Sequence, residues 1–474
     1  MAAHRYLAID LGAESGRAIL AGLSEHLLEL QEVHRFPNVP VRLPTGLYWN
    51  TFGLFQEIKQ GLRAAARATE GLAGAAIDTW GVDFGLLGAD GALIDNPRHY
   101  RDARTVGMME QTFAVAPRAE IFERTGIQFM ELNSLYQLYA THRQAPWVLE
   151  AARRLLFMPD LFNYFLTGAM RAERTISSTS QFYDPAGKQF ATDLLRKLGI
   201  PAGLPADLVE PGTHLGALVP QVADECGLER GTPVYTTASH DTAAAVAAVP
   251  AVADSRWCYI SSGTWSLMGM ELDQPLIHDG SLTANFTNEV GVEGTIRFLK
   301  NIPGLWLLQE CRRAWALEGK EYGYEELTAM ARAAQRAETV LDLEAFYAAG
   351  QSAEKVRQYC RKTGQQAPRD DGEVCRVILY SLAVRYREVL ETLEGLTGRA
   401  VDVIHIVGGG SRNGLLNQLT ADVTGRRVVA GPVEATAAGN ALVQAMGAGQ
   451  LNSLDEVRDV VRHSFQVEEF FPKG

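Results

Sequence analysis

The chain has 474 residues, more than one hydrophobic core ordinarily serves, so two or three domains are expected. Its 47% hydrophobic and 21% charged residues are those of a soluble globular protein, and a formal net charge of −12 argues against nucleic acid, which needs a basic face. The most apolar run, near Ala243–Ala253, is alanine-rich, short and broken by Pro250, which argues against a membrane span.

The N-terminal MAAHRYLAID has no basic segment followed by a long apolar region, so no secretion signal is read and a cytoplasmic protein is expected. RYLAIDL, GRAILAGL and LLELQEVHRFPN then read as strands, the first two joined by a glycine-containing turn. Asn50 to Arg67 has the pattern of an amphipathic helix. GAAIDTWGVDFGLL is a buried strand turning into a hairpin with GADG at its tip. Thr105 to Gly168 is mostly helical in pattern, and looser segments containing VEPGTHLG follow.

The second half repeats this order. RWCYISSGTWSLMGMEL is strand, glycine-containing turn, strand; Leu305–Leu317 and Val374–Leu396 are helical. VDVIHIVGGGSRNGLLNQLTADVTG is a strand, three glycines and a helix; RRVVAG is a short strand and ATAAGNALVQAMGAG a last helix. The repetition predicts two related α/β domains with a boundary near Pro250, assigned as residues 1–248 and 249–474. The five cysteines (Cys226, Cys258, Cys311, Cys360, Cys375) form no C-x-x-C pair and no metal spacing, and reduced thiols are expected. Cys360 and Cys375 flank a polar loop and are the one pair that could be bridged, which a reducing compartment opposes.

Three glycine-containing turns carry the chemistry. In DLGAESGR a carboxylate, Asp10, ends a strand, and the turn after it can aim backbone N–H groups at an anion, with Arg17 as a charge-assisted donor; an ordinary hairpin turn is the competing reading. SSGTWS, Ser261 to Ser266, has the same architecture in the second half. VGGGSRN, Val407 to Asn413, opens a helix whose N-terminus favours negative charge. Its spacing is not G-x-G-x-x-G, which weakens a dinucleotide-binding reading, and there is no G-x-x-x-x-G-K-[ST], H-E-x-x-H or G-x-S-x-G. Between them lies SHDTAAAV, with a lone acid, Asp241, at the head of a small-sided helix. Capping explains an acid there, and so does catalysis.

The order DLGAESGR, SHDTA, SSGTW, VGGGSRN resembles the FGGY carbohydrate kinases of the actin/hexokinase/Hsp70 superfamily, from Tyr6 to about Gly449. The segments DTWGVDF, YRDART, TGIQFMELNSLYQL, MPDLFNYFLTG, SSGTWSLMG and LKNIPGLWLLQE narrow the resemblance within that family. It implies two actin-like (ribonuclease H-like) α/β domains with a cleft between them, the first binding sugar and the second nucleotide. The implied reaction is ATP-dependent phosphorylation of L-rhamnulose at its 1-hydroxyl.

By the same resemblance Asp241 is the general base. A helix N-terminus would keep it ionised. Gly81, His240, Asp241, Thr242 and Asn301 bind the sugar, with Asp83 added from its place beside Gly81. Ala13, Glu14, Ser15, Gly16, Arg17 and Thr264 cradle the phosphates, and Gln309 and Gly409 contact the nucleotide. Glu14 is an unusual residue for a phosphate turn. Asp10 is the expected orienter of Mg²⁺, through waters. The partners implied are a small ketose and ATP, with no nucleic acid or membrane, in a monomer or small homo-oligomer. Trp80 and Phe84 read as core, and His99, Arg101, Asp102 and Arg104 as a structural ion-pair network. Three alternatives stay open on the residues: a kinase for another ketose or polyol (fuculose, xylulose, glycerol), a non-metabolic actin-like ATPase, and a nucleotide-dependent dehydrogenase.

Overall fold

The computed structural model describes residues 4–253, 255–334, 339–347 and 350–473. The chain forms two compact units, neither continuous in sequence. The first comprises Met1–Pro250, Glu271–Phe298 and Ala435–Ser464, and the second Ala251–Met270, Leu299–Glu434 and Phe465–Gly474.

The first unit is built on β1 (His4–Leu11), β2 (Ser15–Ser24), β3 (Leu27–Pro37), β4 (Gly74–Thr79), β5 (His214–Ala217) and β6 (Pro233–Tyr235), in the order β5-β6-β4-β1-β2-β3. β1 is buried from Tyr6 to Leu11, which accounts for an apolar run interrupted only by Asp10. The helix α1 (Thr51–Ala68) starts where Asn50 accepts a hydrogen bond from Gly53 N–H at 3.2 Å, so the predicted start at Asn50 is its cap. Leu54, Ile58, Leu62 and Ala65 line one face of α1 and pack with Leu7, Ile9 and Ile77 of the sheet. Two further helices matter for the site: α2 (Asp241–Ala247) and α3 (Ala435–Gly447).

A second, seven-stranded sheet repeats the plan with β7 (Trp257–Ser262), β8 (Trp265–Leu272), β9 (Ile296–Pro303), β10 (Val403–Val407), β11 (Arg427–Ala430) and β12 (Glu468–Phe470), ordered β9-β8-β7-β10-β11-β12, with the strand Thr287–Val290 outside β9. In each unit the first strand pairs antiparallel with the second and parallel with the fourth. The expected repetition is therefore present in the hydrogen bonding itself. The predicted helices fall at Trp306–Leu317, Asp371–Thr397, Gly414–Thr424 and α3. VEPGTHLG, read as loop, contributes to the short strands Asp207–Val209 and β5. Among the described residues no helix is long and apolar enough to cross a membrane.

Candidate active site

In the first unit, β1 and β2 meet in a turn held by Gly12 N–H donating to Ser15 O at 2.9 Å. Asn38 braces it: its side-chain amide donates to Gly12 O at 2.9 Å and its backbone N–H to Glu14 O at 3.0 Å. A Cβ at Gly16 would overlap the Phe36 ring, so the turn lies closer to β3 than any other residue permits. Glu14 is exposed on this turn. Asp10, 6% exposed, faces Arg17 across the β1–β2 register, and the guanidinium donates to its Oδ2 at 2.5 Å. The acid expected to orient a metal and the cation expected to meet phosphate are ion-paired with each other.

A second acid escaped the sequence reading. β4 runs parallel to β1 and sets Asp78 in register with Asp10. Asp78 is fully buried; its Oδ2 accepts from Asn440 Nδ2 at 2.6 Å, while Oδ1 has no hydrogen-bond partner. One turn along α3, Gln444 donates to Asn440 Oδ1 at 2.7 Å and to Leu7 O at 3.1 Å, locking that amide. Burial pushes Asp78 well above the usual carboxylate range, Asp10 and Asp241 push the same way, and the Asn440 bond opposes them. The available signal was an acid inside the otherwise apolar GAAIDT, where an unpaired charge is costly.

After β4 the chain bends through Trp80–Asp83. Val82 has a φ of 68°, a left-handed conformation that a β-branched residue adopts only under constraint. Its N–H donates to Thr179 Oγ1 at 3.1 Å and its carbonyl accepts from Ser134 Oγ at 2.5 Å. A Cβ on neighbouring Gly81 would stand 3.3 Å from Thr179. Asp83 is fully buried and saturated: Oδ2 accepts from Trp49 Nε1 (2.6 Å), Trp80 Nε1 (3.0 Å) and Tyr100 N–H (3.2 Å), and Oδ1 from Gln137 Nε2 (2.8 Å). Burial lifts it to about 6 against those bonds. With four donors on it, Asp83 holds the bend that carries Gly81. Trp80 and Phe84 are buried. Asp102 accepts from Leu47 N–H (2.6 Å) and Arg104 N–H (3.1 Å), and Arg104 donates to Gln137 (2.9 Å) and Thr141 (3.2 Å), so this segment is tied into the fold.

The SHDTA loop is gripped from behind. Glu173, fully buried, accepts from Thr175 N–H (2.8 Å), Thr175 Oγ1 (2.6 Å), Ile176 N–H (3.1 Å) and Ser239 N–H (3.2 Å). Burial sets it at about 7 despite these donors. Thr175 Oγ1 in turn accepts from His240 N–H at 3.2 Å. His240 is the N-cap residue of α2, no side chain caps the helix, and Asp241 is its first residue. Capping therefore does not explain Asp241. Its Oδ1 accepts from Thr242 Oγ1 at 3.0 Å and lies 3.5 Å from His240 Nε2.

The side chain of Asp241 is 32% exposed, yet the surrounding protein desolvates it and raises its pKa. His240 opposes the rise and Asp10 adds to it. The helix start is expected to favour the ionised form; desolvation is the largest influence on Asp241 and acts the other way. The alanines after Asp241 have a packing role. Gly439 of α3 abuts Ala244 O so closely that a Cβ would overlap the α2 backbone.

In the second unit, β7 and β8 meet at Gly263–Thr264, where Gly263 N–H donates to Trp265 O at 2.8 Å. Thr264 O accepts the Trp306 N–H at 3.2 Å, which ties this turn to the start of helix Trp306–Leu317. β7 and β10 run parallel with Ser261 in register with Val407, so SSGTWS and VGGGSRN are neighbours. Gly408 has a φ of 83°, and a Cβ on Gly410 would overlap Ser262 Oγ; Gly409 between them faces open space. Gln309 sits on helix Trp306–Leu317, and its Oε1 is buried with no hydrogen-bond partner. Asn301 lies on β9, half-buried. All five cysteines are buried and free, so Cys360 and Cys375 are not bridged. Among the described residues no group of three or more His, Cys, Asp or Glu is arranged to hold a metal ion.

Family models account for both parts of the chain: the N-terminal domain of the FGGY family of carbohydrate kinases matches residues 5–247, and its C-terminal domain residues 258–448. The chain belongs to the FGGY family of carbohydrate kinases. It is a carbohydrate kinase with ATP as its co-substrate, and the dehydrogenase and non-metabolic ATPase readings fall away. This kinase is 44% identical over 470 residues to a rhamnulokinase of Bacteroides thetaiotaomicron, covering 99% of this chain and 96% of that one. A rhamnulokinase of Bacillus subtilis is 38% identical, covering 99% and 95%. Among solved structures, gluconate kinase from Lactobacillus acidophilus matches with a TM-score of 0.81 at 14% identity, covering 99% of this chain and 94% of that one. Glycerol kinase from Plasmodium falciparum with ADP matches with a TM-score of 0.78 at 14% identity, with coverage of 99% and 94%. The two-domain α/β fold expected of the actin-like kinases is the fold of this one.

Proposed function

We propose that this kinase transfers the γ-phosphoryl group of ATP to the 1-hydroxyl of L-rhamnulose, giving L-rhamnulose 1-phosphate and ADP in the cytoplasm. The observation that carries this reading is the similarity to rhamnulokinases along nearly the whole chain, at 44% identity in one case and 37% in another. The geometry around Asp241 supports it. The hydroxyl oxygen forms its bond to the γ-phosphorus as the bond to the leaving ADP oxygen breaks, and Asp241 takes the hydroxyl proton. A carboxylate whose pKa is raised by burial is a stronger base than an ordinary aspartate, and its partial exposure gives a hydroxyl access to it.

Gly81, His240, Thr242 and Asn301 are assigned to the sugar, with Asp83 acting through the bend it holds. The backbone of Ala13–Gly16, Arg17 and Thr264 are assigned to the phosphates. Gln309 and Gly409 are assigned to the nucleotide: the first offers a buried acceptor without a partner, the second unobstructed backbone. Asp10 would hold Mg²⁺, which neutralises charge on the transferring phosphates when bound.

The test is an ATP-coupled assay over L-rhamnulose, L-fuculose, xylulose and glycerol, with phosphorus NMR of the product. L-Rhamnulose should be the preferred acceptor, with the phosphorus coupled to a C1 methylene, and an analogue lacking the 1-hydroxyl should bind without reacting. Phosphate on another carbon, or efficient turnover of a different acceptor with none of L-rhamnulose, overturns the reading.

A further inference from the structure

His240 stands at the head of α2 with its two ring nitrogens in different company. Nε2 is 3.5 Å from Asp241 Oδ1. Nδ1 faces inward, 3.2 Å from Arg297 Nη2 and 3.3 Å from Glu289 Oε2. Neither inner residue was singled out from the sequence, and both belong to the first unit.

Arg297 is 0% exposed, an expensive place for a guanidinium unless its position serves something. Its Nε and Nη2 both donate to Val290 O, at 3.2 and 3.1 Å, which fixes the guanidinium plane. In that pose Nη2 also makes a hydrogen bond with Nδ1. Glu289 Oε2 lies 3.2 Å from Nη2 and compensates the charge, yet it receives no aligned hydrogen bond, from the ring or from the arginine. Burial alone would favour the neutral acid of Glu289, and the Arg297 guanidinium beside it opposes that.

A guanidinium has donors and no acceptor, so the nitrogen it bonds must be the one without a proton. We propose that Arg297, with Glu289 as its counter-ion, is the positioning residue that fixes the tautomer of His240. Nδ1 accepts from Arg297, and Nε2 carries the hydrogen and presents it as a donor on the Asp241 side, where the sugar is assigned. A donor there selects an acceptor oxygen on the substrate. The opposite tautomer would meet that oxygen lone pair to lone pair and would set an Nδ1 hydrogen against the Arg297 donor. The backbone of His240 is held by its N–H donating to Thr175 Oγ1 and by the bridge between Thr79 and His240, and Arg297 acts on the ring that this backbone carries. This rests on the assignment of His240 to the sugar.

The direct test uses the whole, sugar-free enzyme. Long-range proton–nitrogen NMR on ¹⁵N-histidine-labelled protein, with the His240 signals identified by their loss in His240→Asn, should show an unprotonated Nδ1 and a protonated Nε2. A proton on Nδ1, in either the other neutral tautomer or the imidazolium, overturns the proposal. Arg297→Lys, with circular dichroism checking the fold, supplies the functional arm. KM for L-rhamnulose should rise about tenfold, the scale of one lost hydrogen bond at a buried polar site, with kcat within threefold and KM for ATP unchanged. Equal losses in kcat and kcat/KM, or a change in thermal stability alone, would mean that Arg297 acts only on the fold. Because the tautomer is read without substrate, failure of L-rhamnulose turnover in the wild-type enzyme would count against the proposed function and leave this inference to the NMR result.

Discussion

Asp241 and Asp83 are both acids near the head of one sheet, and their surroundings give them opposite work. Asp241 accepts one hydrogen bond from Thr242 and is partly exposed, so it is available to a substrate proton. Asp241→Asn should keep the fold and both ligand affinities and lose about 10²- to 10⁴-fold in kcat, measured on protein free of wild-type contamination. Because the base form is required and its pKa is raised, kcat/KM of the wild-type enzyme should climb with pH through a midpoint above the ordinary aspartate range. Asp83 is saturated by four donors, and its folded-state value of about 6 lies above the unfolded 3.8. The stability linked to such a raised carboxyl is fully present below pH 3.8 and is lost as pH rises through 6, on the order of 3 kcal/mol in all. Asp83→Asn does not titrate. The gap in stability between wild type and variant should therefore be widest near pH 4 and narrow toward pH 7 in paired chemical denaturation curves. A gap that stays constant over this range would show that Asp83 does not titrate inside the fold.

At the level of elements, α2 matters more for what it lies against than for its own stability. Seven residues are too few to form a stable helix alone, and α2 is held by α3 and by the Glu173 network around Ser239 and His240. The alanines of SHDTAAAV and Gly439 of α3 let two backbones approach closely, and Asp241 rides on that contact. Gly439→Ala would set a methyl group into the Ala244 carbonyl, which cannot move as a side chain tip would. The overpacking should lower Tm by about 5 °C or more and displace Asp241, so kcat falls as well. Scanning calorimetry and steady-state kinetics on the same preparation check both. Glu173→Gln tests the other grip: an amide has one acceptor oxygen where the carboxylate has two, so at least one of the four donors is left unpaired. Activity should fall about tenfold or more through the loosened Ser239–His240 segment. Unchanged kinetics in a folded variant would remove Glu173 from any part in positioning Asp241.

Taken as a whole molecule, the kinase repeats in its second sheet the strand pairing of its first, the first strand antiparallel to the next and parallel to the fourth, and its thiols are all inside. None of the five cysteines should react with Ellman's reagent in the native state, and all five should titrate in guanidinium chloride, with Tm indifferent to reductant. Fast reaction of any thiol in the folded protein would contradict that burial. Much of this plan is legible in the residues alone, since apolar runs, helical spacing and glycine turns are local signals: β1, β2, α1, the turns at Gly12–Ser15 and Gly263–Thr264, and the order of motifs follow from short stretches. What joins those stretches is not local. The pairing of Asp10 with both Arg17 and Asp78 depends on strand register, and the contact of Arg297 and Glu289 with His240 spans about fifty residues of chain. The saturation of Asp83 draws on Trp49, Tyr100 and Gln137. The upward shift of Asp241 is a sum of desolvation over neighbours remote in sequence, which SHDTA alone does not contain. Residue order along the chain determined which groups carry the chemistry; only the packed structure decided which of them are paired, buried and free to act, because charge and hydrogen bonding depend on distances that folding sets.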